Sequence, residues 1–394
     1  MILLAVLNII LSFIGVRRGF KTKSFIIFVW LIVFYYSITS LVSLLEYNSF
    51  PLDVRKTYVI NMSLCIVAFL VSDFIFNRKK IKPIDLMEIN KAVYIVRIIE
   101  IVFWISLILT YLELKTQDYK IYNSSEGQGG WAQGLFQVTS IVICYFIYQR
   151  KWWKIALASM FVIGMIASTG VRSLLYFILF PILFVYLNEV MSERIKITKI
   201  IIITIPLAVL LISAVVVVNM LRFGEVRLPE TELTYISLRV IANGGYPLQY
   251  FNTCFHYFLG FTPPLINALN KLGLDISTSF TFLSPSIPRL NYFYISEYGT
   301  AHYPATIFHN CYMSFGYYGC IWAFVVFSYL KLLCDFFQKN TASFFSLSSV
   351  LGWHIYMIMR GAADGAASGI SYAILMAVIL YFIIRNSIKN YKHN

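Results

Sequence analysis

Long apolar runs, separated by short polar segments, set the pattern of this chain. They fall near 1–16, 24–45, 58–77, 93–112, 134–149, 153–169, 171–190, 198–221, 306–330, 344–359 and 366–385. A hydrocarbon core about 30 Å thick is crossed by about 20 helical residues, and most runs approach or reach that length. In lipid each segment must satisfy its own backbone polar groups, so the runs predict helices rather than strands. The expected fold is an all-α polytopic membrane protein of about eleven transmembrane helices. One connection is not short. Residues 222–304 have mixed polarity and hold most of the prolines. Within them 247–269 is apolar but broken by Pro263-Pro264, which suits a re-entrant or interfacial helix pair better than a crossing. The chain thus divides into helices 1–8 (1–221), one long extracytoplasmic loop (222–304), and helices 9–11 with a tail (305–394). No internal repeat or low-complexity stretch interrupts this plan.

Composition supports a bilayer as part of the solvent. Of 394 residues, 59% are hydrophobic and 13% charged, with mean hydropathy +0.74, whereas soluble domains carry about 25% charged residues. Lys and Arg then orient the spans, because cytoplasmic loops hold the excess of cations. With the N-terminus outside, alternation places 20 cations on the cytoplasmic side against 11 outside, and Arg97 within a span. The outer side also carries 11 acids, so it is formally neutral and the net +14 lies at the cytoplasmic face. Such a charge reflects topology and anionic lipid, not nucleic acid. The expected location is a bacterial cytoplasmic (inner) membrane, multi-pass, with the active face extracytoplasmic. Met1 to Val16 ends in Arg17-Arg18 rather than in a small-residue cleavage site, so it reads as a first span and not a signal peptide.

Several chemistries lack their motifs. There is no P-loop or nucleotide signature, no Gly-x-Ser-x-Gly, and no Asp-x-Asp in the first outer loop. No His, Cys or Asp cluster has metal-ligand spacing, so neither metal nor cofactor is expected. The six cysteines form no disulfide framework. Cys65 and Cys144 read as small core residues, while Cys254 and Cys311 could both face an oxidising compartment.

The outer cations differ in kind from the inner ones. Inside, Lys outnumbers Arg 14 to 6; outside, Arg outnumbers Lys 7 to 4. Arg55, Arg172, Arg222, Arg227, Arg239, Arg289 and Arg360 stand against the insertion bias. Guanidinium grips phosphate or carboxylate through two parallel N–H donors. These arginines either pair with Glu225, Glu230, Glu232 and Glu297 as solvated loop charges or hold an anionic ligand, and for the set the ligand is the better reading. Arg172 stands in Ser168-Thr169-Gly170-Val171-Arg172-Ser173, a tight turn between two long apolar runs, where a cation needs a partner or a wet cavity. Arg360 has Asp364 four residues on as a structural alternative. For an acid or base the outer side offers His309, His302 and Glu297, with His256 beside them; a neutral imidazole can accept a hydroxyl proton. Each is equally a polar interfacial residue. His354 reads as a helix–helix contact, and Arg97 and Glu100 as a structural pair, with Asp73 as a further partner.

The short-looped spans, the single long outer loop and the Gly170-Val171-Arg172 turn resemble the Wzy-type O-antigen polymerases, most closely the oligosaccharide repeat-unit polymerases. The stretch from Tyr303-Pro304-Ala305-Thr306-Ile307-Phe308 to Ser314-Phe315-Gly316-Tyr317-Tyr318-Gly319 is similar to that family's Thr-x-Phe and Phe-Gly-x-x-Gly segment after the loop. The family often has an acid just before the Phe-Gly; here Ser314 stands there, so no catalytic carboxylate is carried over. The resemblance implies a GT-C-like polymerase or ligase architecture and a metal-independent glycosyltransferase. Its substrate would be an undecaprenyl-diphosphate-linked glycan polymerised into O-antigen or a related surface polysaccharide, with a chain-length regulator protein as a possible partner. On that reading Arg172, Arg222, Arg227, Arg239, Arg289 and Arg360 would hold the diphosphate, and His309, His302 or Glu297 would take the proton. The aromatics Tyr246, Tyr250, Phe251, Phe255, Tyr257 and Phe258 would stack on sugars or lie against headgroups. An O-antigen ligase shares this layout. A lipid-linked oligosaccharide flippase or transporter is the other class, disfavoured by the absence of two related halves.

Overall fold

The computed structural model describes residues 1–77, 80–116, 131–169, 173–193, 229–244, 306–360 and 363–390. Among these the protein is all-helical. The helices are α1 (Ile2–Thr22), α2 (Ile26–Glu46), α3 (Leu52–Phe76), α4 (Val93–Thr116), α5 (Trp131–Thr139), α6 (Val142–Tyr148) and α7 (Trp152–Thr169). They continue with α8 (Ser173–Met191), α9 (Pro229–Ala242), α10 (Ile307–Phe315), α11 (Gly319–Phe337), α12 (Thr341–Met359) and α13 (Ala363–Asn390). Short 3-10 turns, Leu86–Ala92 and Gly316–Tyr318, lead into α4 and α11.

Seven of the described helical stretches are long and apolar enough to cross a membrane: Ile2–Thr22, Ile26–Glu46, Leu52–Phe76, Leu86–Lys115, Leu174–Met191, Gly316–Phe337 and Thr341–Met359. A multi-pass membrane protein follows. The predicted spans at 134–149 and 153–169 are shorter apolar helices, Ala132–Tyr148 and Trp152–Ile166, and the one at 198–221 lies outside the described residues. The run at 306–330 is divided: α10 comes first, and the membrane-length stretch begins only at Gly316.

The helices group into two compact units. Unit 1 comprises Met1–Lys80, Pro229–Leu332 and His354–Ser371. Here α1 lays a stripe of small residues on α2. A Cβ on Gly15 would stand 2.1 Å from Trp30 Cδ2, so only glycine lets the indole lie against the α1 backbone. Trp30, Phe69 and Phe327 then form an aromatic core, with centroids 5.2 Å (Trp30–Phe327) and 4.9 Å (Phe69–Phe327) apart. One end of the unit is tied by charge. Arg18 Nε donates to Asp73 Oδ2 at 2.8 Å, and Asn77 Nδ2 donates to Asp73 Oδ1 at 3.0 Å and to Thr22 Oγ1 at 2.8 Å.

Unit 2 comprises Ile81–Leu228, Leu333–Trp353 and Tyr372–Asn394. Its centre is the broken helix α5–α6, buried along nearly its whole length. At the break Ser140 N–H donates to Phe136 O (2.9 Å) and Ile143 N–H to Ser140 O (3.0 Å), so the backbone keeps its bonds across the interruption. Buried hydroxyls hold its flanks, with Thr139 Oγ1 3.1 Å from Ser106 Oγ and Cys144 Sγ 3.4 Å from Ser348 Oγ. Asn188 clamps the segment before α4 by accepting from Ile84 N–H (2.9 Å) and donating to Ile84 O (3.0 Å).

The structure corrects one expected pairing. Glu100 pairs with Lys154 across to α7, not with Arg97, and Asp73 belongs to Arg18 in the other unit. Residues three apart on a helix can meet, but Lys154 enters between the Phe146 and Trp153 rings, 5.2 and 5.4 Å from their centroids, and reaches Glu100 there. Three expectations hold in the described part. Cys65 and Cys144 are fully buried, and His354 is a helix–helix contact, its Nε2 lying 3.1 Å from Tyr329 Oη.

Candidate functional site

Polar side chains gather in unit 1 at the end away from Arg18 and Asp73, where α3 begins. Pro51 sets an extended entry (φ −50°, ψ 142°) and α3 starts at Leu52. Its first turns carry Arg55, Tyr58 and Asn61 on one side, spaced by three. Tyr58 is 2% exposed. Its hydroxyl lies 3.4 Å from Thr234 Oγ1 on α9, with Ser40 on α2 and Thr306 before α10 close by. Asn61, 1% exposed, donates from Nδ2 to the carbonyl of Phe308 at 2.6 Å. Two positions of α3, one turn apart, thereby tie it to α9 and to α10.

The element they fix best is α10. Thr306 caps it in extended conformation (φ −73°, ψ 159°), its Oγ1 accepting from His309 N–H at 3.4 Å. The helix closes at Gly316, whose φ of 61° with ψ of −139° belongs to a region only glycine enters freely. Gly319 then lies against Cys311: a Cβ there would stand 2.2 Å from the Cys311 carbonyl oxygen. This torsion and this contact give the Phe-Gly-x-x-Gly spacing a physical cause, a tight elbow between α10 and α11. Tyr317, within the elbow, donates to Thr57 Oγ1 of α3 at 3.4 Å.

His309 is thus placed by its cap on one side and by the Asn61–Phe308 bond on the other. It is 1% exposed, and α10 precedes the Gly316–Phe337 span. Burial pushes its pKa down to about 3, so the imidazole is neutral at physiological pH. Arg55 is half-buried, and its Nε is sealed from solvent without a hydrogen-bond partner. A guanidinium N–H in that state is a ready donor to an incoming anion. Arg239, in the last turn of α9, donates to Tyr235 Oη at 2.9 Å. Tyr235 is itself held between Tyr47 and Phe50, with centroids 5.1 and 5.8 Å away.

Of the residues expected to carry chemistry, the structure places His309 and Arg239 in this unit and sets Arg360 at the end of α12, its N–H bonded to Tyr356 O at 2.9 Å. Arg172, Arg222, Arg227, Arg289, His302 and Glu297 lie outside the described residues, as do Cys254 and the aromatics between Tyr246 and Phe258. Three site residues were not singled out from sequence: Tyr58, Asn61 and Thr234, while Thr306 stood in the Thr-x-Phe segment without a role of its own. The only signal for Tyr58 and Asn61 was a polar residue every third position in the first turns of α3, submerged in a run read by its hydropathy. Among the described residues no group of three or more His, Cys, Asp or Glu is placed to hold a metal ion.

No family model, curated protein or solved structure matches the chain.

Proposed function

We propose that this protein is a membrane glycosyltransferase that polymerises undecaprenyl-diphosphate-linked oligosaccharide repeat units on the extracytoplasmic face of a bacterial inner membrane. The observation that carries the reading is the start of α3, where Arg55 offers a sealed, unpaired N–H beside the Tyr58 and Asn61 bonds that hold His309. An anion-binding cation and a proton-accepting ring at one end of a membrane bundle suit transfer from a lipid diphosphate. A hydroxyl of the acceptor unit attacks the anomeric carbon of the donor chain and forms the new C–O bond. The anomeric C–O bond to the diphosphate breaks, and the undecaprenyl diphosphate leaves with the electron pair. The hydroxyl proton passes to a base, His309 first and His302 or Glu297 otherwise. Arginines (Arg55, with Arg172, Arg222, Arg227, Arg239, Arg289 and Arg360) balance the leaving charge without a metal. The diphosphate also brings negative charge to the imidazole, which moves its pKa back towards the useful range.

A transporter or flippase is the second reading, favoured by Asp73, a fully buried carboxylate within a span. Buried ionisable groups in spans often mark ion pathways. Arg18 and Asn77 satisfy both carboxylate oxygens, which fits a structural tie better.

The surface glycan of a strain lacking this protein separates the readings. Lipid core capped by a single repeat unit is expected for a polymerase. Loss of every unit points to a ligase, and accumulation of cytoplasm-facing lipid-linked units to a flippase; either result sinks the polymerase assignment.

A further inference from the structure

Unit 2 contains a cleft with no part in the chemistry proposed above. It lies between α4 and α7, holds about 560 Å³, and is walled by Leu107, Tyr111, Met160, Phe161, Gly164 and Ser168 among others. That volume falls in the range of about 300–1,000 Å³ typical of ligand sites. The Lys154–Glu100 pair pins the two helices at one end. Beyond it the cleft opens, and among the described residues nothing lies within 4 Å of where a Gly164 Cβ would stand.

The depth of the cleft follows from its neighbours. Near the pinned end Tyr94, Trp152 and Trp153 are 72%, 50% and 65% exposed, as rings at a headgroup level are. At 1.5 Å per residue, Lys115 stands about 32 Å along α4 from Tyr94, close to the thickness of a hydrocarbon core. Lys115 therefore sits at the opposite headgroup level, and the cleft runs through the bilayer interior towards it. The ammonium lies 6.0 Å from the centroid of Tyr111, a residue of the cleft wall. Lys115 is exposed and has no carboxylate partner among the described residues. Glu113, two residues away, is used elsewhere, accepting from the backbone N–H groups of Ala132 and Gln133 in the first turn of α5.

We infer that this cleft binds an anionic phospholipid, with one acyl chain along the α4–α7 wall and the phosphate at Lys115. The wall is apolar where a chain needs it, and the thioethers of Met160 and Met165 adapt to a mobile chain. Lys115, the cation at the mouth among the described residues, complements a phosphate at headgroup depth. This assignment does not rest on the glycosyltransferase reading, and either can fail alone.

The test uses full-length protein in phosphatidylcholine nanodiscs carrying a few per cent of phosphatidylglycerol with a photoreactive acyl chain. Mass spectrometry is expected to find the label on the Leu157–Ser168 peptide. Lys115→Gln should cut that labelling about fivefold, the worth of one lysine at an anionic surface. Gly164→Phe, whose ring fills the open notch, should abolish it while leaving the melting temperature unchanged. Equal labelling by photoreactive phosphatidylcholine, or labelling that survives Gly164→Phe, overturns the assignment. Displacement of the phospholipid by a lower concentration of polyprenyl diphosphate gives the cleft to that lipid and overturns it as well.

Discussion

At the scale of single residues, the buried polar groups of this protein differ by whether each has an answering partner. Asn61 has one: its amide holds the Phe308 carbonyl. Asn61→Leu removes that buried bond, at a cost of about 0.5–1.5 kcal/mol, and should lower both the melting temperature in detergent and the amount of long-chain glycan. Asn8 is the opposite case, 1% exposed with neither amide atom hydrogen-bonded. Asn8→Leu should therefore raise the melting temperature, and a fall would show that the amide has a use in the membrane. Arg18 and Asp73 form a pair that only works whole. Arg18→Met strands a buried carboxylate and should cost about 3–5 kcal/mol, most of which Arg18→Met/Asp73→Leu recovers. His309 ties stability to pH. The unfolded chain binds its proton near pH 6.5, whereas in the fold burial delays that to about pH 3. Stability from this group is thus complete above about pH 7 and falls as pH drops from about 6.5 towards 3. His309→Gln should flatten that part of the melting curve against pH; an unchanged slope contradicts the buried neutral ring.

At the scale of elements, the elbow between α10 and α11 is the most constrained feature. Gly316→Ala meets a forbidden backbone region, worth about 1–3 kcal/mol, and Gly319→Ala collides with the Cys311 carbonyl. Both should melt early and make little polymer. Gly134, inside α5 with open space about its Cα, is the control. Gly134→Ala should be neutral or gain about 0.5–1 kcal/mol from helix propensity. The positions of the helices were largely legible in the sequence, because apolar runs of bilayer length have one reading. Their interruptions were not. The breaks at Ser140–Ile141 and at Gly316 are held by local hydrogen bonds and a single glycine torsion, which leave mean hydropathy unchanged. Likewise His309 stood out as a histidine beside a loop, whereas Tyr58 and Asn61, which position its helix, were hidden in a span. Arg97 and Glu100 were matched by spacing alone, and a lysine from another helix took the glutamate.

At the scale of the whole molecule, charge asymmetry predicts an orientation in the membrane. With 20 cations assigned to one side and a neutral face on the other, cysteines placed at Asn48 and at Asn386 should react differently with a membrane-impermeant maleimide in intact cells. Labelling is expected at position 48 and not at 386. The reverse pattern inverts the orientation, and with it the face on which the proposed chemistry could occur.

The broken helix at the centre of unit 2 bears on how the chain is made. Taken together, its pieces, Ala132–Tyr148, measure about 26 Å, short of a core of about 30 Å. Part of their polar flank is answered locally, by Thr139 and Ser140 on carbonyls of α5; the rest is answered by Ser106 and by Ser348, and Ser348 is synthesised some two hundred residues later. During biogenesis this segment gains its last partner only when α12 arrives, so the packing of the middle of the chain is completed by its end.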